Sequence, residues 1–126
     1  MAGWVGTMAK INSFNFGFIV VDGKQYICDV VILPDGTVKE RGASKARLGS
    51  HTITWSDVAR IANEQPEVVI IGTGISALAK LSEDAGIHLR RASLNLVVLP
   101  SFQAVEKFNQ LADEGKRVAA LIHITC

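Results

Sequence analysis

The segment Val68–Ala77, VVIIGTGISA, carries an apolar run into Gly72-x-Gly74-x-x-Ala77. Small residues at these three positions let a strand turn sharply and let backbone N–H groups approach a phosphate. The dinucleotide form of that chemistry also needs an acidic side chain at the end of the next strand, to hold the ribose. Here that place reads Leu99-Pro100-Ser101-Phe102-Gln103, with no Asp or Glu. The nearest helix-capping signal, Ser82, stands well past Gly74, so a phosphate on the turn would not meet a helix N-terminus directly. The glycines are therefore read first as permitting a tight exit and close packing. Contact with an anion or other ligand is the alternative. A nicotinamide or flavin site is set aside, and no cofactor is expected.

Other residue types invite other chemistry. His123-Ile124-Thr125-Cys126 suggests a Cys–His nucleophile. Residues three apart on a strand point to opposite faces, however, and a terminal carboxylate on Cys126 would raise its thiol pKa. Packing and hydrogen bonding are the preferred reading, and no catalytic residue is assigned. A metal would need ligands from Cys28, His51, His88, His123 and Cys126, whose spacing matches no familiar pattern beyond His-x-x-Cys; none is expected. Asp57, Glu64 and Glu67 fall near one helix, where solvation and capping suffice. Lys39, Arg41, Lys45 and Arg47, with Arg90 and Arg91, are read as solvated charge, with a patch for an anion or acidic partner as the alternative.

Composition narrows the classes. The net charge is +1 and aromatic residues make up 6% of the chain, which with no recognised motif speaks against nucleic acid. No apolar run approaches the ~18 residues of a membrane span. No targeting signal is read at the N-terminus, Met8 is an alternative start, and the cytoplasm is the default compartment. Two cysteines make a disulfide framework an unneeded assumption. Residues 1–11 are expected as a flexible lead-in and 12–126 as one domain.

The elements that must position these residues come in two rhythms. FNFGFIV places Phe14, Phe16, Phe18 and Val20 on one face by period two. Asp22-Gly23 suits a type I′ hairpin, with QYICDVVIL as the return strand. Leu33-Pro34-Asp35-Gly36 turns the chain into a third strand at 37–41. After a polar loop at 42–50, helices and strands alternate. Thr54 stands three before Asp57 in a capping-box spacing, with Trp55, Val58, Ile61 and Ala62 at helical intervals. A buried strand starts at Val68 and ends by Gly72. Ser82 caps a second helix, and a strand spans 94–99. Ser101 is read as the cap of a third helix with Phe102, Val105, Phe108 and Ala112 inward, and Gly115 stops it. A last buried strand runs from Val118 to Ile124. The fold class is α/β, α+β mixed: a β-meander followed by a β-α-β-α-β unit.

Strands separated by helices pair in parallel. In such sheets ligands bind beyond the carboxyl ends of the strands. Gly72, Thr73, Gly74, Ser101, His123, Thr125 and Cys126 should then gather at one edge, and they form the candidate ligand-binding set.

PEVVIIGTG and AVEKFNQLADEGKRVAALIHITC resemble the adipogenesis-associated Mth-domain family, domain of unknown function 498, over residues 12–126. The resemblance rests most on Glu67–Gly74, on Ala104-Val105 to Asn109 and on His123–Cys126. It implies a three-layer β/β/α architecture with crossed sheets. Relatives linked to respiratory complex I assembly or to adipocyte differentiation imply binding rather than turnover. The leading expectation is a non-catalytic module acting as an assembly or regulatory factor through a protein partner or small ligand. The alternative is an enzyme or binder for a phosphate-bearing small molecule, with Gly72–Gly74 as anion cradle. A thiol role for Cys126 is the third reading.

Overall fold

The computed structural model describes Thr7, residues 9–41 and residues 51–126. Its strands are β1 (Ile11–Asn15), β2 (Phe18–Val21), β3 (Lys24–Tyr26), β4 (Val30–Ile32), β5 (Val38–Glu40), β6 (Thr52–Ile53), β7 (Val68–Gly72), β8 (Lys80–Leu81), β9 (Asn95–Leu99) and β10 (Val118–Ile122). The helices are α1 (Trp55–Asn63), α2 (Glu83–Arg91) and α3 (Ser101–Asp113).

The central sheet has the order β5-β4-β10-β7-β9. β7 pairs in parallel with both β10 and β9, while β4 and β5 run antiparallel at the other side. The chain thus leaves β7 through α2 to β9 on one side, then returns through α3 to β10 on the other. Crossovers of one hand in opposite directions put α2 and α3 on opposite faces. This explains why β7 and β10 are apolar at every position: alternate residues feed two cores. Val68, Ile70, Val118, Ala120 and Ile122 pack with Phe108 and Ala104 of α3 and with Ile11, Phe14, Ile19 and Val21 of the β1–β3 sheet. Val69, Ile71, Ala119 and Leu121 pack with Val58 and Ile61 of α1 and Ala85 and Leu89 of α2. The layers are those of the β/β/α expectation, with α3 sharing the outer β layer.

Local chemistry sets the boundaries. Asp57 accepts from the Thr54 N–H at 2.8 Å, and the Ser82 hydroxyl accepts from the Ala85 N–H at 3.3 Å. Past α3, Gly115 at φ +80° lets its own N–H reach Ala112 O and that of Lys116 reach Leu111 O. This is the bond pair of a Schellman stop. The Asp22-Gly23 turn has both residues at positive φ, as a type I′ hairpin needs.

The first half is an antiparallel meander, β1-β2-β3, as expected, but its strand boundaries differ from the sequence reading. The Phe14–Phe16–Phe18–Val20 face is not one strand: Gly17, at φ +87°, turns the chain back, and Asn15 pairs with Phe18. Phe14 is buried and Phe16 is exposed. QYICDVVIL is also split, with β3 in the small sheet and β4 in the central one. A further parallel pair, β6 with β8, braces the loop after β7. In the expected lead-in, Thr7 and Ala9 are buried, and the Thr7 hydroxyl donates to Val118 O at 2.7 Å. The loop expected at 42–50, with Lys45 and Arg47, lies outside the described residues.

Candidate functional site

The tips of β7, β9 and β10 share one edge. Ile122 stands opposite Gly72, which stands opposite Leu99. The His123 N–H donates to Gly72 O at 3.0 Å, and the Thr73 N–H to Leu99 O at 2.9 Å. Thr73 and His123 are therefore neighbours, as the parallel arrangement requires.

Ser101 joins the tips. It is the first residue of α3 rather than its cap; its hydroxyl accepts from the Gly74 N–H at 2.8 Å and donates to His123 O at 2.7 Å. Because the side chain is turned to these tertiary partners, it leaves the helix end uncapped. Phe102 points outward, its ring edge against Phe14 with 4.9 Å between centroids.

The crevice at the tips is filled by residues 123–126. The Ile75 N–H donates to Thr125 O at 2.8 Å and the Leu78 N–H to Cys126 O at 3.0 Å. The N–H groups of Thr73, Gly74 and Ile75 are all spent inside the fold. Both glycines sit where a Cβ would collide. At Gly72 it would lie 2.9 Å from Ser101 Oγ; at Gly74 it would overlap the Cys126 carbonyl group.

A buried polar chain runs from this edge into the molecule. The Asp29 carboxylate holds His123 Nδ1 at 2.7 Å through Oδ2 and accepts the Ile124 N–H at 3.0 Å through Oδ1. The same Oδ2 takes Arg41 Nη1 at 2.9 Å. Arg41 also donates through Nε to Asp57 at 3.2 Å, and through Nη2 to Asp57 at 3.0 Å and Thr52 O at 2.8 Å. His123 Nε2 meets Thr125 Oγ1 at 3.1 Å. The His51 ring stands edge-on to His123, with centroids 5.6 Å apart.

Charge pairing dominates here. Burial pushes the Asp29 carboxyl up, but hydrogen bonds from His123, Ile124 and Arg41 more than offset it and hold it below the usual carboxylate range. For Asp57, burial is likewise outweighed by Arg41 and the Thr54 N–H. The Arg41 guanidinium is held above its ordinary value because its two carboxylates outweigh burial. Its expected place on a solvated surface is corrected: Arg41 is 4% exposed. Lys39, Arg90 and Arg91 are exposed.

Thr125, His123 and Asp29 form a hydroxyl–imidazole–carboxylate line. Activating a hydroxyl this way needs a carboxylate whose charge is directed to the imidazole. Asp29 spends that oxygen on Arg41 as well, and Thr125 lies two residues from His123 on an extended segment. Cys126 takes no part in this line. Burial, then Glu40 beside it, pushes the Cys28 thiol up to about 11. Both thiols are free.

The sequence reading did not single out Asp29 and placed Arg41 on a solvated surface; Asp57 keeps its expected capping role and adds the bridge to Arg41. The signal was present in Asp29, an acid inside the apolar stretch ICDVVIL, since such a residue must find a buried partner. Among the described residues no three His, Cys, Asp or Glu side chains converge as metal ligands, and no helix is long and apolar enough to cross a membrane.

The fold and filled tips define a mixed α/β domain with a closed switch point. A family model described as protein of unknown function (DUF498/DUF598) matches residues 11–123, and the chain belongs to this family. The conserved hypothetical protein PH1505 from Pyrococcus horikoshii OT3 is 28% identical with a TM-score of 0.81, over 93% of this chain and 99% of that one. A structure described as MT938 is 28% identical with a TM-score of 0.77, over 94% and 100%. A Mth938-like domain protein of Bordetella pertussis shares the fold at 19% identity and a TM-score of 0.67, over 98% and 89%.

Proposed function

We propose that the protein is a non-catalytic binding module that docks an apolar segment of a protein partner at the strand-tip edge, as an assembly or regulatory factor. One observation carries this reading. Phe16, Ile27, Leu78 and Phe102 are 57%, 77%, 53% and 46% exposed. Phe16 and Phe102 each stand next in sequence to a residue that bonds residues 123–126. Leu78 bonds them through its own N–H, and Ile27 stands two residues before Asp29, which also bonds them. Gly17 N–H bonds Ile124 O, Leu78 N–H bonds Cys126 O, Ser101 bonds His123, and Asp29 binds His123 and Ile124. Large apolar side chains gathered at one edge mark interaction surfaces. The saturated Asp29–His123–Arg41–Asp57 set supports a rigid frame beneath them and offers no unengaged acid–base pair. Of the candidate set, Thr125 and Cys126, half-buried, are the members placed to touch a partner, while Gly72, Thr73, Gly74, Ser101 and His123 hold the edge in shape. The same proposal places the protein in the cytoplasm, supported by its two free thiols.

The test is affinity capture with paired variants. Phe16→Ser with Phe102→Ser should lose a partner that the parent chain retains, whereas Ile87→Ser, on α2, should keep it. A partner held equally by all three would overturn the assignment.

A further inference from the structure

We propose that the groove between β5 and α1 is a seat for a compact ligand bearing one oxyanion, a carboxylate or phosphate, gripped by Lys39 and Arg60. The groove has a volume of about 220 Å³. Lys39 stands opposite Val31 in the β4–β5 register and shares a face with Arg41 two residues on. Across the gap, Ser56, Asp57 and Arg60 share one face of α1. The floor is rigid, because the Arg41–Asp57 bridge spans from the strand side to the helix side.

Arg41 and Asp57 offset each other at the floor, and of the remaining lining charges Lys39 and Arg60 outnumber Glu40 by one. Every ion pair in the described residues belongs to Arg41, Asp29, Asp57 and His123. Lys39 and Arg60 have no such partner among the described residues, yet both line the groove. Two cations facing each other across a cleft repel until an anion joins them. A guanidinium fork and an ammonium suit carboxylate and phosphate oxygens alike.

The charge of one lining residue limits the occupant. Glu40 also lines the groove, so a second anionic group on the ligand is repelled. This site is separate from the strand-tip edge, and either can fail alone.

The experiment is a titration of the ¹⁵N-labelled full chain with inorganic phosphate and with acetate at constant ionic strength. Saturable amide shifts at Val31, Lys39, Ser56 and Arg60 are expected. Lys39→Ala with Arg60→Ala should weaken binding by about tenfold or more, whereas Arg90→Ala with Arg91→Ala should leave it unchanged. Linear, non-saturating shifts would overturn the proposal. So would equal affinity in both double variants, or shifts centred on Gly72–Gly74. Preference for phosphate over acetate, or the reverse, names the oxyanion.

Discussion

Replacing Arg41 by Met is the sharpest probe of the buried network. Methionine keeps most of the side chain's length and removes the charge. The lost bonds are those to Asp29 at 2.9 Å, to Asp57 at 3.2 and 3.0 Å and to Thr52 O at 2.8 Å. Asp29 would keep His123 and the Ile124 N–H, and Asp57 would keep the Thr54 N–H and hydroxyl. Neither acid would be orphaned, but two carboxylates would remain buried near each other without a guanidinium. Breaking such a pair costs about 3–5 kcal/mol. At about 4 °C per kcal/mol for a chain of this size, Tm should fall by about 12–20 °C at neutral pH.

The pH dependence separates lost charge pairing from lost packing. Both aspartates titrate below their unfolded values in the native chain. The unfolded state therefore binds protons first on acidification. The stability they contribute is complete above about pH 4 and is lost as pH falls through the native values. In Arg41→Met that depression shrinks, and protonation relieves the repulsion. The Tm gap between parent and variant should narrow between neutral pH and about pH 3, and adding Asp29→Asn and Asp57→Asn should recover much of the loss. Thermal unfolding followed by circular dichroism across that range reads all of this. A neutral-pH loss under about 1 kcal/mol, or a gap indifferent to pH, would refute the reasoning.

Ser101→Ala should cost about 2 kcal/mol in urea unfolding, since the Gly74 N–H and His123 carbonyl both lose a buried partner; a loss within error would show that other groups satisfy them. Gly74→Ala should cost more than about 2 kcal/mol, because φ is +102° and the added methyl meets the Cys126 carbonyl. Its amide shifts should change most at Thr125 and Cys126, and an unperturbed segment there would contradict the packing. Cys28 should resist iodoacetamide at pH 8, and Glu40→Gln should speed its alkylation by lowering its pKa. Rapid labelling of Cys28 in the parent chain, read by peptide mass spectrometry, would refute the first.

What the sequence disclosed follows from range. Caps and stops are written within a few residues, so Thr54 with Asp57, Ser82 and Gly115 were legible. So was the parallel unit, because two buried strands and two amphipathic helices alternate. The hairpin at Phe16-Gly17 was hidden because apolar residues continue at period two through the turn. The Ser101 signal was local and its partners are not: a serine before a helix reads as a cap, and nothing nearby names Gly74. The Asp29–Arg41–His123 cluster joins distant positions, and its only local trace is an acid in an apolar run.

The glycine signature and the missing ribose acid have one explanation. In an open α/β sheet the crevice at the switch point is where ligands enter. Here β7 and β10 flank that crevice, and residues 123–126 occupy it. Carbonyl oxygens of Thr125 and Cys126 take N–H groups that a phosphate would otherwise take. Gly74 is needed because a backbone, not a nucleotide, approaches that closely. Under the two proposals made above, binding falls to the surroundings of the filled crevice. Those surroundings are of two kinds, an apolar rim around the filled edge and a charged groove on the far side of the Arg41 bridge. The bridge links them, since Asp29 holds both His123 at the edge and Arg41 beneath the groove. Weakening Asp29 should therefore disturb both surfaces at once, whereas substitutions on either rim should act alone. Asp29→Asn, compared by amide shifts with Phe102→Ser and Arg60→Ala, would show perturbations at both Thr125 and Lys39 if that linkage holds. Shifts confined to the His123 side would mean that the two surfaces are mechanically independent.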